Sequence, residues 1–372
     1  MDRRTGFVWH ERYMWHEGGR IAGIVPVGYP VEPGSPHETT ATKRRIKNLV
    51  DASGFIDHLV AVKPREATRQ ELLRVHTPAY LDRLAVLNRE AEAVAGLDGF
   101  MTRGSYDIAR LAAGGALAAV DAIYSGTVTN AYALVRPVGH HAEADQGLGF
   151  CLLSNAALAA AHAMATHGAR RVALVDIDVH HGNGAQRIFW NDPRVLTISL
   201  HQDCWFPPDC GALDERGGPE AFGTNVNMPL PAGCGWGAYE AAFDTVVMPA
   251  LERFRPDFVI MPCGFDAGAQ DPLGRMILHG GAFAAMTEKL LAFCERTIGG
   301  RLLLTHEGGY NPYTVPFMAL AVLEVLAGRS SGVTDPLGQI FAGMKGHELL
   351  PHQAEVIAQA ARFLADIPAG GG

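Results

Sequence analysis

An α/β fold, a central mostly parallel β-sheet with helices on both faces, is predicted for this 372-residue chain by three observations. Short apolar, β-branched runs alternate with helical patterns. Unusual polar clusters stand just past the ends of four of those runs. No Pro/Ser-rich linker or internal repeat divides the chain. Strands that alternate with helices need crossover connections, which give parallel pairing and a sheet covered on both faces. The length allows one large domain or two ordinary ones, and without a linker the expectation is a single domain over residues 1–372.

The elements follow in order. Residues 1–50 and the tail 369–372 carry the least pattern. The first ten residues lack a long apolar run, and the stretch 21–31 is broken by Gly and Pro, so no signal peptide is expected. Lys43-Arg44-Arg45 is a short basic cluster, expected on a solvated helix face. Helix periodicity covers 108–124, 152–167, 239–254, 281–297 and 316–326. Strand-like runs cover 131–135, 171–177, 195–200, 258–263 and 301–305, each short, apolar and bounded by turn residues.

The totals narrow the function. Apolar residues make up 48% and charged residues 19% of the chain, as in a globular protein with a large core. A net charge of −8 argues against nucleic acid as the main partner, because phosphate binding needs clustered Lys and Arg. Six cysteines without a CxxC pair suggest neither a disulfide scaffold nor a Cys-rich zinc module. No run of eighteen apolar residues is present, so a soluble cytoplasmic protein is expected.

The chemistry lies at the strand ends. The run 131–135 leads into Arg136-Pro-Val-Gly-His140-His141. The run 171–177 leads into Asp178-Val-His180, the run 258–263 into Gly264-Phe-Asp266, and the run 301–305 into His306-Glu-Gly-Gly-Tyr310. Parallel sheets place ligand sites past the carboxyl ends of their strands, so these distant residues can converge. Along an extended backbone Asp176, Asp178 and His180 would face one way. A catalytic metal site needs about three protein ligands. Asp178 and His180 supply two and Asp266 is the best third, for Zn²⁺ or equally Fe²⁺. The histidine pair could supply a general base, with Asp176 available to orient one ring and Asn183 the other, which should separate their pKa values and roles. Tyr310, after two glycines, could donate to a developing oxyanion. Gly149-Phe150 and Trp205-Phe206 could wall a narrow apolar slot.

Taken together, Arg136-Pro-Val-Gly-His-His, Gly149-Phe-Cys, Asp176-Ile-Asp-Val-His-His-Gly-Asn-Gly, Thr197-Ile-Ser-Leu-His, Gly264-Phe-Asp-Ala and Glu307-Gly-Gly-Tyr resemble the zinc-dependent histone deacetylase family. The likeness is to its bacterial class II group, the histone deacetylase-like amidohydrolases, and runs from about Thr39 to Gly328. It implies the arginase/deacetylase fold with about eight strands. It implies zinc on Asp178, His180 and Asp266, His141 as general base and acid, His140 as its electrostatic partner buttressed by Asp176, and Tyr310 as the donor that polarises the carbonyl. Phe150 and Phe206 would wall a tunnel with Leu273 at its mouth. It further implies K⁺ at Asp176, Asp178, His180, Ser199 and Leu200, and a second K⁺ at Phe189, Asp192, Val195 and Thr224. Family members often form dimers or tetramers, which makes a homo-oligomer the expectation.

Three departures and three rivals accompany the resemblance. Asn183 stands where class I members carry Asp, Val138 replaces the second Pro of Pro-Pro-Gly-His-His, and the early His-Pro-x-x-x-Arg pattern is blurred around His37. An arginase-like binuclear manganese site would need aspartates where Gly182 and Gly268 stand. An acetylpolyamine amidohydrolase would tend to have an acid at the tunnel mouth, where Leu273 is apolar, although Asp98 keeps that alternative open. A silent binding protein would lack a ligand or the tyrosine, and none is missing. The implied reaction is hydrolysis of the amide of an acylated amine such as N-acetyl-lysine, with no nucleic acid or membrane partner.

Overall fold

The structure, a computed structural model of the chain, describes residues 3–18, 30 and 36–370. The Gly- and Pro-broken stretch noted above falls almost wholly outside the described residues, as do Gly371 and Gly372. The strands are β1 Thr5–Val8, β2 Leu59–Val62, β3 Glu92–Val94, β4 Phe100–Thr102, β5 Asn130–Ala133, β6 Val172–Asp176, β7 Val195–Gln202, β8 Asn225–Leu230, β9 Phe258–Cys263 and β10 Leu302–His306. Eight of them form one sheet in the order β2-β1-β5-β10-β9-β6-β7-β8. Every pair in it is parallel. The remaining two, β3 and β4, make a separate antiparallel ribbon.

Burial on both faces explains the near-continuous apolar runs. Ala131, Ala133, Val172, Leu174, Ile260 and Leu303 face one core layer, packed against the helices Ser105–Tyr124 and Asn155–His167. Tyr132, Ala173, Val175, Val259, Met261, Leu302 and Leu304 face the other, under Gly280–Ile298 and Val315–Ala327. The period-2 alternation of each strand is thus split between two apolar layers rather than between core and water.

Three features differ from the sequence expectation. The helix expected over 239–254 is interrupted by a π-helical turn at Phe243–Val247. Pro249 has no N–H to continue the α-helical ladder there, and the wide turn accommodates the gap. Next, β1, β2 and β8 were not anticipated. In β8 Asn225 and Asn227 alternate with the buried Val226, Met228 and Leu230, and the asparagines bond to Gln186 and Glu215. Finally, Lys43 is not on a solvated face. It lies on the helix Ala41–Ala52 at the spacing of the buried Ile46 and Val50, is itself buried, and places Nζ 3.2 Å from Glu38 Oε1. Only Arg44 and Arg45 of the cluster are exposed. Among the described residues, no helix is long and apolar enough to cross a membrane.

Candidate metal and catalytic site

The four polar clusters follow β5, β10, β9 and β6, which are consecutive in the middle of the sheet. Parallel pairing puts all four carboxyl ends on one side, so loops far apart in sequence meet there. Asp176 closes β6, opposite Ser199 of β7, and the chain then leaves the strand through Asp178 and His180.

Asp178, His180 and Asp266 bring their ligand atoms within 4.8 Å of one another, all three buried. His180 Nδ1 lies 3.0 Å from Asp178 Oδ1 and 3.1 Å from Asp266 Oδ2. Backbone N–H groups hold the carboxylates from behind: His180 N donates to Asp178 Oδ1 at 2.9 Å, Gly308 N to Asp178 Oδ2 at 2.8 Å, and Val179 N to Asp266 Oδ1 at 2.8 Å. Burial and the Asp178 charge push Asp266 above the ordinary carboxylate range. Burial lowers the His180 imidazole, but the two carboxylates overcome it and raise it to about 10. Two desolvated carboxylates with no Lys or Arg partner among the described residues call for a cation. Gly308 leaves room for one, since a Cβ there would overlap Asp266 Oδ2 and sit 2.7 Å from Asp178 Oδ2. The donor set of one imidazole nitrogen and two carboxylates fits a catalytic divalent ion. A second, arginase-like ion does not fit, because any side chain at Gly182 would collide with the Asp176 carboxylate.

The two histidines lie side by side, ring centres 3.9 Å apart, with different partners. His140 Nδ1 meets Asp176 Oδ2 at 3.0 Å, and its Nε2 is 3.7 Å from Asp178 Oδ2. Burial pulls its pKa down, but Asp178 and Asp176 outweigh that and raise it to about 10. His141 Nδ1 meets Asn183 Oδ1 at 2.8 Å. The Asn183 amide is oriented by donating Nδ2 to Glu143 Oε1 at 2.8 Å and to the His141 carbonyl at 3.1 Å. The Asn183 oxygen therefore accepts from His141 Nδ1–H and leaves Nε2 unprotonated. Burial, then the neighbouring His140 and His180 charges, hold His141 well below the ordinary imidazole value. The two rings are thus shifted in opposite directions, His140 upward and His141 downward.

Above this floor is a cavity of about 290 Å³ lined by Asp98, His141, Gly149, Phe150, His180, Trp205, Phe206, Pro272, Leu273, Arg275 and Tyr310. Phe206 packs edge-on to His141 at 5.0 Å and Phe150 edge-on to Tyr310 at 5.9 Å, so the two phenyl rings form walls. Gly149 has φ +50, and a Cβ there would overlap His141, so the wall approaches the base through glycine. Tyr310 is nearly buried. Its N–H donates to Asp271 Oδ2 at 2.7 Å, and burial with Asp266 and Asp178 nearby keeps its phenol protonated.

Several contributors were not singled out from sequence as site residues. Glu307 accepts N–H bonds from Gly139 at 2.7 Å and His140 at 3.1 Å, and burial pushes it up to about 7. Asp271 carries the Tyr310 loop and, by burial and then by Asp266, is also pushed up to about 7. Glu307 stands inside a motif already quoted, so its position was visible although its contacts were not, whereas Asp271 lies four residues past the Gly264-Phe-Asp-Ala motif. Glu38, in the blurred early motif, bonds Arg136 Nη2 at 2.7 Å beside Lys43. The candidate potassium residues are also near one another. Ser199 Oγ accepts from Gly182 N at 3.2 Å beside the end of β6; Asp192 N donates to Phe189 O at 2.9 Å and Val195 N to Asp192 O at 3.1 Å at the start of β7, while the Thr224 carbonyl accepts from Thr197 N at 2.9 Å. Asp121, His162 and His167 form another compact group. There Arg74 donates to His162 Nδ1 at 2.8 Å, which fixes the proton on Nε2 toward Asp121 and leaves that nitrogen no lone pair for an ion.

A histone deacetylase domain model matches residues 35–326. A histone deacetylase-like amidohydrolase of Pseudomonas aeruginosa is 47% identical over 91% of this chain and 90% of its own length. Histone deacetylase 8 of Arabidopsis thaliana is 36% identical over 91% of this chain and 92% of its own, and a probable deacetylase of Archaeoglobus fulgidus 33% identical over 87% and 86%. The crystal structure of the HDA15 HD domain superposes with a TM-score of 0.81 and 34% identity, covering 98% of each chain.

Proposed function

The chain belongs to the histone deacetylase family, whose members are zinc-dependent and hydrolyse amide bonds, and we propose that it hydrolyses the amide of acylated amines, foremost N-acetyl-lysine or a similar acyl-amine. The observation that carries this is the meeting of the Asp178–His180–Asp266 donors, the unprotonated His141 and the phenol of Tyr310 around one apolar-walled cavity. Residues 1–372 are taken as one catalytic domain.

Asp178, His180 and Asp266 would hold Zn²⁺, or Fe²⁺, which when bound supplies a Lewis-acid charge and makes water a stronger acid. The chain's own groups account for the proton movements. His141 Nε2 takes a proton from the attacking water, and its Nδ1–H is anchored by Asn183 so that the ring keeps this tautomer. His140, kept cationic by Asp176 and Asp178, offsets negative charge as the carbonyl carbon becomes tetrahedral. Tyr310 donates its O–H to the carbonyl oxygen as that oxygen gains charge. His141 then returns the proton to the leaving nitrogen, giving a carboxylate, acetate for an acetyl group, and a free amine. Phe150, Phe206 and Leu273, with Gly149 between them and His141, enclose the methylene stem and exclude water.

Structural K⁺ belongs to the same proposal, at Asp176, Asp178, His180, Ser199 and Leu200 and at Phe189, Asp192, Val195 and Thr224, as does assembly into dimers or tetramers. A second reading, an acetylpolyamine or small-molecule amide hydrolase, draws on the half-buried Asp98 carboxylate at the cavity. The test is turnover by zinc-loaded protein of an acetyl-lysine peptide, N-acetylputrescine and a small anilide side by side. Preference for the lysine substrate supports the first reading, and preference for the polyamine the second. No hydrolysis of any of them contradicts both.

A further inference from the structure

The rim of the cavity carries two opposite charges that are not paired with each other. Arg275 and Asp98 both line it, yet no ion pair joins them. Arg275 is fixed at both backbone groups, its N–H donating to Gln202 Oε1 at 2.9 Å and its carbonyl accepting from Gly233 N at 2.7 Å. Its guanidinium lies over the Trp205 ring at 5.4 Å, and that indole in turn donates to the Leu273 carbonyl at 2.6 Å. Nη1 spends its hydrogens on the carbonyls of Pro272 at 3.1 Å and Gly274 at 2.6 Å. The Nε–Nη2 edge is left without a partner among the described residues, and that edge is the planar fork that fits a carboxylate with two parallel bonds.

Asp98 is held as firmly. Its carbonyl accepts from Phe150 N at 2.9 Å, Leu97 O accepts from Gly149 N at 3.0 Å, and its backbone stays at φ +54. A non-glycine residue in that region is kept there only by its surroundings. Among the described residues its carboxylate oxygens bond to nothing, although the side chain is half-buried at the cavity.

We propose that, beside the Asp98 acceptor, the rim selects acylated amines that carry a free carboxylate, bound by the unpartnered Nε–Nη2 edge of Arg275. The substrate is then Nε-acyl-lysine, free or at the C-terminus of a peptide, rather than an internal acyl-lysine or an acylated polyamine. A lysine's four-carbon stem would span the apolar walls and deliver both α-substituents to the rim while the amide reaches His141 and Tyr310. An acylated polyamine has nothing for Arg275, and an internal lysine has no carboxylate. This specificity rests on the amide hydrolysis proposed above.

The experiment compares kcat/KM of the zinc-loaded full chain for Nε-acetyl-lysine, Nε-acetyl-lysinamide and N-acetylcadaverine. A peptide ending in acetyl-lysine, with a free or amidated C-terminus, separates the free amino acid from the peptide end. The acid is expected to exceed the amide by about tenfold, mostly through KM. R275Q should bring that ratio close to one, and R275K should restore part of it. Equal turnover of acid and amide by the unmodified protein, or an R275Q loss equal for both, overturns the proposal while leaving amide hydrolysis standing. Inactivity on every acylated amine overturns amide hydrolysis and this specificity with it.

Discussion

Replacing Tyr310 by Phe removes one oxygen and leaves nearly everything else in place. The ring keeps its edge contact with Phe150 at 5.9 Å and its place 5.7 Å from Lys43 Nζ, and the backbone N–H keeps Asp271 at 2.7 Å. The phenol oxygen has no protein partner among the described residues, so its loss orphans no buried group and thermal stability should barely change. What disappears is a donor aimed at charge that develops only in the transition state. Loss of one such donor costs about 100- to 1,000-fold in kcat, about 2.7–4 kcal/mol. KM should stay within about threefold, because the ground-state carbonyl gains little from the bond. Steady-state kinetics on an acetyl-lysine substrate, with a melting curve on the same sample, measures both quantities. A kcat loss under about tenfold, or a loss carried by KM alone, would refute the role given to Tyr310.

Gly308→Ala should weaken metal binding by about 100-fold or more, because its Cβ would occupy the space between Asp178 and Asp266. A chelator competition measures it, and unchanged affinity would remove the cradle argument. Glu38→Gln should destabilise the protein by about 3–5 kcal/mol, since Arg136 and Lys43 stay buried without their anion. Burial raises the Glu38 pKa, but Arg136 and Lys43 outweigh it and hold it below the ordinary range. Its stabilisation is therefore complete above the unfolded value of about 4.3 and is lost as pH falls through that value toward the folded one. Denaturant melts at descending pH should show a steeper loss below about pH 4 for the native chain than for E38Q. Asn183→Asp places a carboxylate against His141 Nδ1 and raises that imidazole. Because His141 acts as base only when unprotonated, the acid limb of the kcat/KM profile should move to higher pH by about one unit. An unmoved limb would argue that another group takes the proton.

Much of the sheet and of the site was legible in the sequence because both depend on local pattern. The runs at β5, β6, β7, β9 and β10 are short, β-branched and apolar, and a strand buried on both faces needs little else. Asp178, His180 and Asp266 could be joined because parallel strands must end on the same side. The strands toward the two ends of the sheet were not legible. Four residues suffice for β1 and β2 when neighbours supply the hydrogen bonds, and β8 breaks the apolar rule with asparagines whose partners come from elsewhere in the chain. Lys43 shows the same limit. Its neighbours Arg44 and Arg45 do face solvent, and only the helix phase set by Ile46 and Val50 turns Lys43 inward to Glu38. Arg275 was equally hidden, because it lines the cavity with Asp98 from 177 positions away (275 − 98) and shares no motif with it.

The most direct test of the central claim is the metal content of the active protein, measured by elemental analysis on the native chain and on D178N and D266N. One zinc or iron per chain in the native form, falling toward zero together with activity in both variants, is the expected result. Full activity without a transition metal, or two ions per chain, would contradict it.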